Sequence, residues 1–183
     1  MASVLVPLAE GCEELEAVTI IDLLVRAGIN VTSAGLLQGP VTCSRGTVII
    51  PDLDLDTALQ QDYDMIVLPG GLPGADHLQQ DPRIRECLVN MHASKKYIAA
   101  ICAAPKVLAS AGLLDNKQAT SYPGVIDTMD IQGLCYSNDA VVKDDQIITS
   151  RGPGTAMDFT LALIEILVGK DKRNEVESAL VRA

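Results

Sequence analysis

No stretch of the 183 residues approaches the roughly 18 consecutive apolar residues that a membrane span needs. The segment from Met1 to Pro7 lacks the basic region and apolar run of a secretory signal. Basic side chains are scarce as well: 14 Lys and Arg stand against 24 Asp and Glu, a formal net charge of −10. That balance argues against specific or non-specific nucleic-acid binding and against an anionic membrane surface, since both need a basic face. Histidine, the most frequent general base, occurs only at His77 and His92. No G-x-G-x-x-G or P-loop is present, so no nucleotide is expected. The five cysteines (Cys12, Cys43, Cys87, Cys102, Cys135) are odd in number and show no C-x-x-C spacing. They predict neither a disulfide framework nor a zinc site, and a reducing, cytoplasmic setting.

What remains is an ordinary soluble composition, with 48% hydrophobic and 21% charged residues. The length suits one domain covering 1–183, and no repeat or linker interrupts it. Strand and helix patterns alternate along it. Ser3 to Ala9 reads as a buried strand, Glu13 to Ala27 as a helix stopped by Gly28, and Asn30 to Leu36 as a second strand. Val41 to Ser44 and Thr47 to Ile50 predict a small hairpin with Arg45 at its tip. Asp52 to Asp56 is an acidic connector without the Gly and Glu that a calcium loop requires. A strand over Asp64 to Leu68 ends in Pro69-Gly70-Gly71-Leu72-Pro73-Gly74, which places His77 in a loop. A helix from Pro82 to Ser94 leaves His92 exposed near its end, and a strand from Tyr97 leads into a helix over Ala103 to Ala111. Short strands at Ala119, Leu134–Tyr136, Ala140–Lys143 and Gln146–Ser150 precede a long amphipathic helix through Val168 and a last short helix. This order predicts an α/β three-layer sandwich with a mostly parallel sheet.

The stretch Tyr97-Ile98-Ala99-Ala100-Ile101-Cys102-Ala103-Ala104-Pro105 holds the first chemical signal. A thiol on a strand-to-helix turn is held outward like the nucleophile of an elbow, although the usual flanking glycines are missing. Helix-terminal amides beside it favour an anion and predict a thiol pKa below the free value of about 8.5. The same residues also fit a small buried core cysteine.

Glu16 is the second signal. At 100° per residue it falls on the line of Ile20, Leu23 and Ala27, inside the apolar sector, whereas Asp22 and Arg26 mark a solvated flank. A carboxylate facing a core is costly without a partner and has a raised pKa. A first-turn Glu reaching solvent and favouring the helix dipole is the plainer alternative. Glu16 and Cys102 both belong to the C-terminal edge of the sheet, and they would meet there if their strands lie adjacent. The glycine turn, Gly70-Gly71, ends at that edge too, either as a close-approach loop or as a simple tight turn.

Four ordered motifs then resemble one family over essentially the whole chain: Gly11-Cys12-Glu13-Glu14-Leu15-Glu16-Ala17, Val67-Leu68-Pro69-Gly70-Gly71, Ala99-Ala100-Ile101-Cys102-Ala103-Ala104-Pro105 and Thr149-Ser150-Arg151-Gly152-Pro153-Gly154-Thr155. The sequence is similar to the ThiJ/PfpI superfamily, in the branch of the parkinsonism-associated DJ-one protein and the bacterial YajL-type chaperones. The resemblance implies a flavodoxin-like homodimer in which Cys102 is an oxidation-prone nucleophile and Glu16 a protonated carboxyl beside it. Gly70, Gly71, Ala103, Tyr122 and Pro153 would form the oxyanion and substrate pocket, and Arg26 and Arg45 would act between subunits. Several members carry a His where this chain has Tyr122, so the third position is a hydrogen-bond donor rather than a base. The protease-like branch has a His after its cysteine, and Ala103 stands there, which speaks against peptidase activity. The expected function is cofactor-free and metal-free chemistry on α-oxoaldehydes or glycated proteins, since backbone amides would stabilise the oxyanion. The alternative is a redox-sensing chaperone for misfolded proteins, with Cys102 oxidised to a sulfinate.

Overall fold

The computed structural model describes residues 1–182. In chain order its elements are β1 (Ser3–Leu8), α1 (Glu14–Arg26), β2 (Asn30–Gly35), β3 (Val41–Thr42), β4 (Val48–Ile49), β5 (Leu53–Asp54), α2 (Leu55–Ala58), β6 (Met65–Leu68) and α3 (Gly74–Gln80). There follow α4 (Pro82–Ala93), β7 (Tyr97–Ile101), α5 (Pro105–Ser110), β8 (Gln118–Ala119), β9 (Cys135–Tyr136), β10 (Val141–Asp144), β11 (Ile147–Ser150), α6 (Ala156–Val168) and α7 (Lys170–Ala179). Among the described residues, seven strands form the main sheet in the order β10-β11-β7-β6-β1-β2-β5. Every pairing in it is parallel except β10 with β11, whose strands are joined by the tight Asp145-Gln146 turn, one residue later than the Asp144-Asp145 pair suggests.

Because strand side chains alternate, each central strand feeds two cores. Val4, Val6 and Leu8 of β1, Met65 and Val67 of β6, and Ala99 and Ile101 of β7 pack with α1 and α6, where Phe159 is fully buried. Leu5, Ile66, Leu68, Ile98 and Ala100 face the other way, onto Leu78 of α3, Ile84 and Leu88 of α4, and Leu108 of α5. Each fully buried aliphatic side chain of this kind contributes about 1.5–3 kcal/mol. The result is the helix–sheet–helix sandwich read from the alternation of strands and helices, and it is the flavodoxin-like fold that the resemblance implied.

Several local readings change. The segment with His77 is not a loop but the helix α3, and the acidic run contains the edge strand β5 and the turn of α2, capped by Asp54, whose carboxylate accepts from Thr57 N–H at 2.9 Å. His92 is half-buried rather than exposed, with its Nδ1 3.1 Å from the Gln146 side-chain amide nitrogen, which also donates to His92 C=O at 3.0 Å. The long helix α6 begins only at Ala156, after a 3-10 turn over Pro153–Thr155. No helix among the described residues is long and apolar enough to cross a membrane.

Candidate active site

Cys102 follows β7 with φ +63°, in the left-handed region that non-glycine residues avoid. The surrounding backbone holds it there: Cys102 N–H donates to Ser150 C=O at 3.0 Å, and Cys102 C=O accepts from Tyr122 N–H at 2.9 Å. A strained residue pinned at both backbone groups is the elbow that the sequence predicted. The residue sits at the edge of the core and is 9% exposed.

Glu16 is 0% exposed in the first turn of α1, on the core side as its helical position predicts. Its Oε2 accepts from Gly70 N–H at 2.8 Å, while the buried Oε1 has no hydrogen-bond partner of regular geometry among the described residues. The carboxyl group lies against the Cys102 thiol, and the two share their proton chemistry. Burial pushes Glu16 up to about 7, opposed by the hydrogen bonds from Cys102 and Gly70.

The two residues do not meet through neighbouring strands, as the sequence led us to expect. β6 lies between β1 and β7, and its C-terminal turn would wall Glu16 off from Cys102 if it carried a side chain. A Cβ on Gly70 would stand 2.7 Å from Cys102 Cβ and 2.8 Å from Glu16 Oε2, far inside contact distance. The missing side chain is the opening through which acid and thiol touch. Gly71, at φ +89°, packs equally tightly against the loop after β1: a Cβ there would lie 2.3 Å from Glu13 N. Glu13 N–H in turn donates to Gly70 C=O at 2.9 Å, so the two loops are locked backbone to backbone.

The expectation of a lowered thiol pKa is overturned. Burial is the largest cause and, with the charge of and hydrogen bond to Glu16, pushes Cys102 up to about 12. Hydrogen bonds from the amides of Gly71 and Ala103 act in the opposite direction and are outweighed. The helix contributes less than assumed because α5 starts only at Pro105 and is six residues long. Chemically, the pair holds one proton between two acids over the range from about 7 to about 12. Thiol with carboxylate and thiolate with carboxylic acid are then two arrangements of the same singly protonated site, with two amides ready for a negative charge.

Of the other residues singled out, Gly70, Gly71 and Ala103 surround the thiol. Tyr122 is 52% exposed, and its ring covers Gly152, whose Cβ would meet Tyr122 Cδ2 at 3.2 Å. Pro153 is half-buried in the turn after β11, the strand that pairs with β7. Arg26 is exposed and ion-paired with Asp22 at 2.7 Å, and Arg45 is exposed at the hairpin tip. His77 and His92 stay apart from the thiol, making contacts with Glu10 C=O at 3.0 Å and Gln146 respectively. Sequence reasoning missed the anchoring role of Glu14: it accepts from Arg45 N–H at 3.1 Å and Thr47 N–H at 3.3 Å, and desolvation, which raises its pKa, is outweighed by its own backbone N–H together with these bonds and the Ser44 hydroxyl, which hold it down to about 2. Two cavities, of about 420 and 510 Å³, lie elsewhere, lined by Tyr63 and Cys87 and by Leu36 and His77 respectively.

Known proteins carry the same architecture. The model of the DJ-1/PfpI family matches residues 2–166. The Parkinson disease protein 7 homolog of Danio rerio is 44% identical over 181 residues, covering 97% of this chain and 95% of that protein. The glutathione-independent glyoxalase DJR-1.2 of Caenorhabditis elegans is 40% identical over 182 residues, covering 100% of this chain and 96% of that protein. The crystal structure of Drosophila melanogaster DJ-1beta superposes with a TM-score of 0.94 at 42% identity, over 100% of this chain and 98% of that one.

Proposed function

The chain belongs to the DJ-1/PfpI family, and on that premise we propose that it is a cofactor-independent glyoxalase or protein deglycase acting through Cys102 and Glu16. The observation that carries this reading is the contact of a buried carboxyl with a thiol on a strained elbow, faced by the amides of Gly71 and Ala103. The glyoxalase name of the Caenorhabditis elegans relative supports the reaction class.

The Cys102 proton passes to Glu16, and the thiolate adds to the aldehyde carbon of methylglyoxal. The aldehyde oxygen takes the charge between the Gly71 and Ala103 amides and is protonated, giving a hemithioacetal. Glu16 then moves a proton from that carbon to the neighbouring carbonyl carbon through an enediol, which leaves a lactoyl thioester. Water cleaves the thioester, releasing lactate and restoring the thiol. Glyoxal, entering by the same carbonyl addition, would give glycolate; at a glycated side chain the thiolate would form the C–S bond at the hemiaminal carbon as the C–N bond breaks, the amine leaving with a proton from Glu16, and the same hemithioacetal would follow. The test is lactate formation from methylglyoxal: Cys102→Ala should lose it by at least about a thousandfold. Lactate formation by that variant at the parent rate overturns the reading.

A second reading has an observation of its own. A protonated Glu16 against the sulfur suits a sulfinate at Cys102 as hydrogen-bond acceptor, the state a redox-sensing chaperone would use. Peroxide titration followed by peptide mass spectrometry tests it: two oxygens must appear on Cys102 before Cys87 or Cys135 is touched. We also propose a homodimer, in which the exposed Leu15, Val18 and Val25 of α1 and Val48 and Ile50 of the hairpin region are covered, with Arg26 and Arg45 at its edge.

A further inference from the structure

The thiols of Cys12 and Cys43 take no part in the chemistry above. Their sulfurs lie 3.6 Å apart, and the residues are 0% and 5% exposed. The contact joins the loop after β1 to the β3–β4 hairpin, 31 positions away in sequence. Backbone hydrogen bonds clamp the two segments on both sides of it. Gly11 N–H donates to Thr42 C=O at 2.8 Å, and Ser44 N–H donates to Cys12 C=O at 2.8 Å. Beyond them Glu13 and Glu14 accept from the Ser44 hydroxyl at 2.9 and 3.1 Å, and Glu14 also holds the Arg45 and Thr47 amides. The sulfur contact is therefore imposed by the backbone rather than by one free rotamer. An S–S bond of about 2.05 Å needs the two atoms to close by about 1.5 Å, a distance that side-chain rotation can supply.

We propose that Cys12 and Cys43 are a redox-modification site, which a peroxide-class oxidant converts to an intramolecular disulfide. Hydrogen peroxide first transfers one oxygen to the sulfur of Cys43, the more exposed of the two, giving a sulfenic acid and one water. The Cys12 sulfur then attacks the Cys43 sulfur. The S–O bond breaks, and hydroxide leaves with the Cys12 proton as a second water. Two thiols have given up two electrons and two protons, and the peroxide O–O bond has been reduced to two waters. Burial raises the pKa of both thiols, so the pair reacts slowly and responds to sustained oxidation.

The bond would form directly behind the candidate active site. A Cβ on Gly71 would lie 2.7 Å from the carbonyl carbon of Cys12, and one on Gly74 would lie 2.7 Å from Cys12 Cα. Gly71 supplies one of the two amides that face Cys102, so the disulfide would fix the wall that carries it.

The test uses the full chain and reads peptide mass, so it stands whether or not the protein turns over α-oxoaldehydes. Protein kept in excess hydrogen peroxide is alkylated, digested without reductant and examined by mass spectrometry. The expected product is a peptide pair joined through Cys12 and Cys43, lighter than the sum of its parts by two hydrogens. It should accumulate with time, disappear on adding dithiothreitol, and form to a similar extent in Cys102→Ala. A Cys43→Ser variant, verified as folded by circular dichroism, should not give it. Recovery of Cys12 and Cys43 as alkylated thiols or as separate sulfinic acids after Cys102 is fully oxidised overturns the proposal. Links running instead to Cys87, Cys102 or Cys135 overturn it as well.

Discussion

Cys87 is half-buried and Cys102 buried, and desolvation pushes both thiols up, to about 11 and about 12. By pKa direction alone they would be classed together as inert. Their surroundings differ. Cys87 sits on regular helix in α4, and burial is the only cause of its shift. Cys102 sits on a left-handed turn, with a carboxyl beside it and two amides aimed at it. Burial raises every thiol, so burial cannot mark a nucleophile. What distinguishes Cys102 is a place for its proton and a place for its charge.

Removing the place for the proton should produce the largest effect on this contrast. Glu16→Gln keeps the shape but takes away the acceptor, and kcat/KM for methylglyoxal should fall by about a hundredfold or more. In the parent, activity should rise with pH through about 7, where the pair loses its first proton. In the variant that rise should move to higher pH. A pH–rate profile with its acid limb unmoved would leave Cys102 no better supplied than Cys87. Stability offers a second readout. The folded pKa of Glu16, about 7, is raised above its ordinary 4.5, so its contribution is fully present below 4.5 and is lost as pH rises through 7. Urea unfolding should show the parent losing up to roughly 3 kcal/mol across that window, and Glu16→Gln should flatten the loss.

Blocking the contact rather than removing a group should cost less. Gly70→Ala forces a methyl to within 2.7 Å of Cys102 Cβ, and the neighbouring backbone cannot easily yield. We expect a loss of about 1–3 kcal/mol in stability and of about tenfold to a hundredfold in kcat. Alanine at a helix-surface position such as Val89 serves as the control. An unchanged kcat in Gly70→Ala would mean that acid and thiol need not touch.

The parts of this arrangement that were legible in the sequence are those set by local periodicity. The apolar line through Glu16, Ile20 and Leu23 placed a carboxylate in the core, and the strand–Cys–Pro sequence placed Cys102 on an elbow. What was not legible depends on residues far apart in the chain. Strand order put β6 between β1 and β7, which turned Gly70 from a plausible turn residue into the gap between two reactive groups. Burial of Cys102 is likewise a tertiary property, and it reversed the direction of the thiol shift. The helix α3 escaped notice for a local reason: it starts at Gly74 after a glycine-rich turn, has no side-chain cap, and buries only Gly74, Ala75 and Leu78. The sulfur contact between Cys12 and Cys43 had no sequence signal, because it follows from how a hairpin folds back on a loop.

The smallest effect should come from Tyr122, where the resemblance led us to expect a His in some relatives. Its proximity to Cys102 is real, but it runs through the backbone: the Tyr122 amide donates to Cys102 C=O at 2.9 Å. The ring lies over Gly152, the residue is 52% exposed, and its hydroxyl makes no hydrogen bond among the described residues. Tyr122→Phe keeps the amide and the ring, so kcat/KM should change by less than about threefold, well under the effect of removing a general acid or base. Tyr122→Ala uncovers Gly152 and should cost more, through KM rather than kcat, if the exposed ring contacts the substrate. A tenfold fall in kcat for Tyr122→Phe would place the phenol among the reacting groups, and the site would then be a triad rather than a Cys–Glu pair.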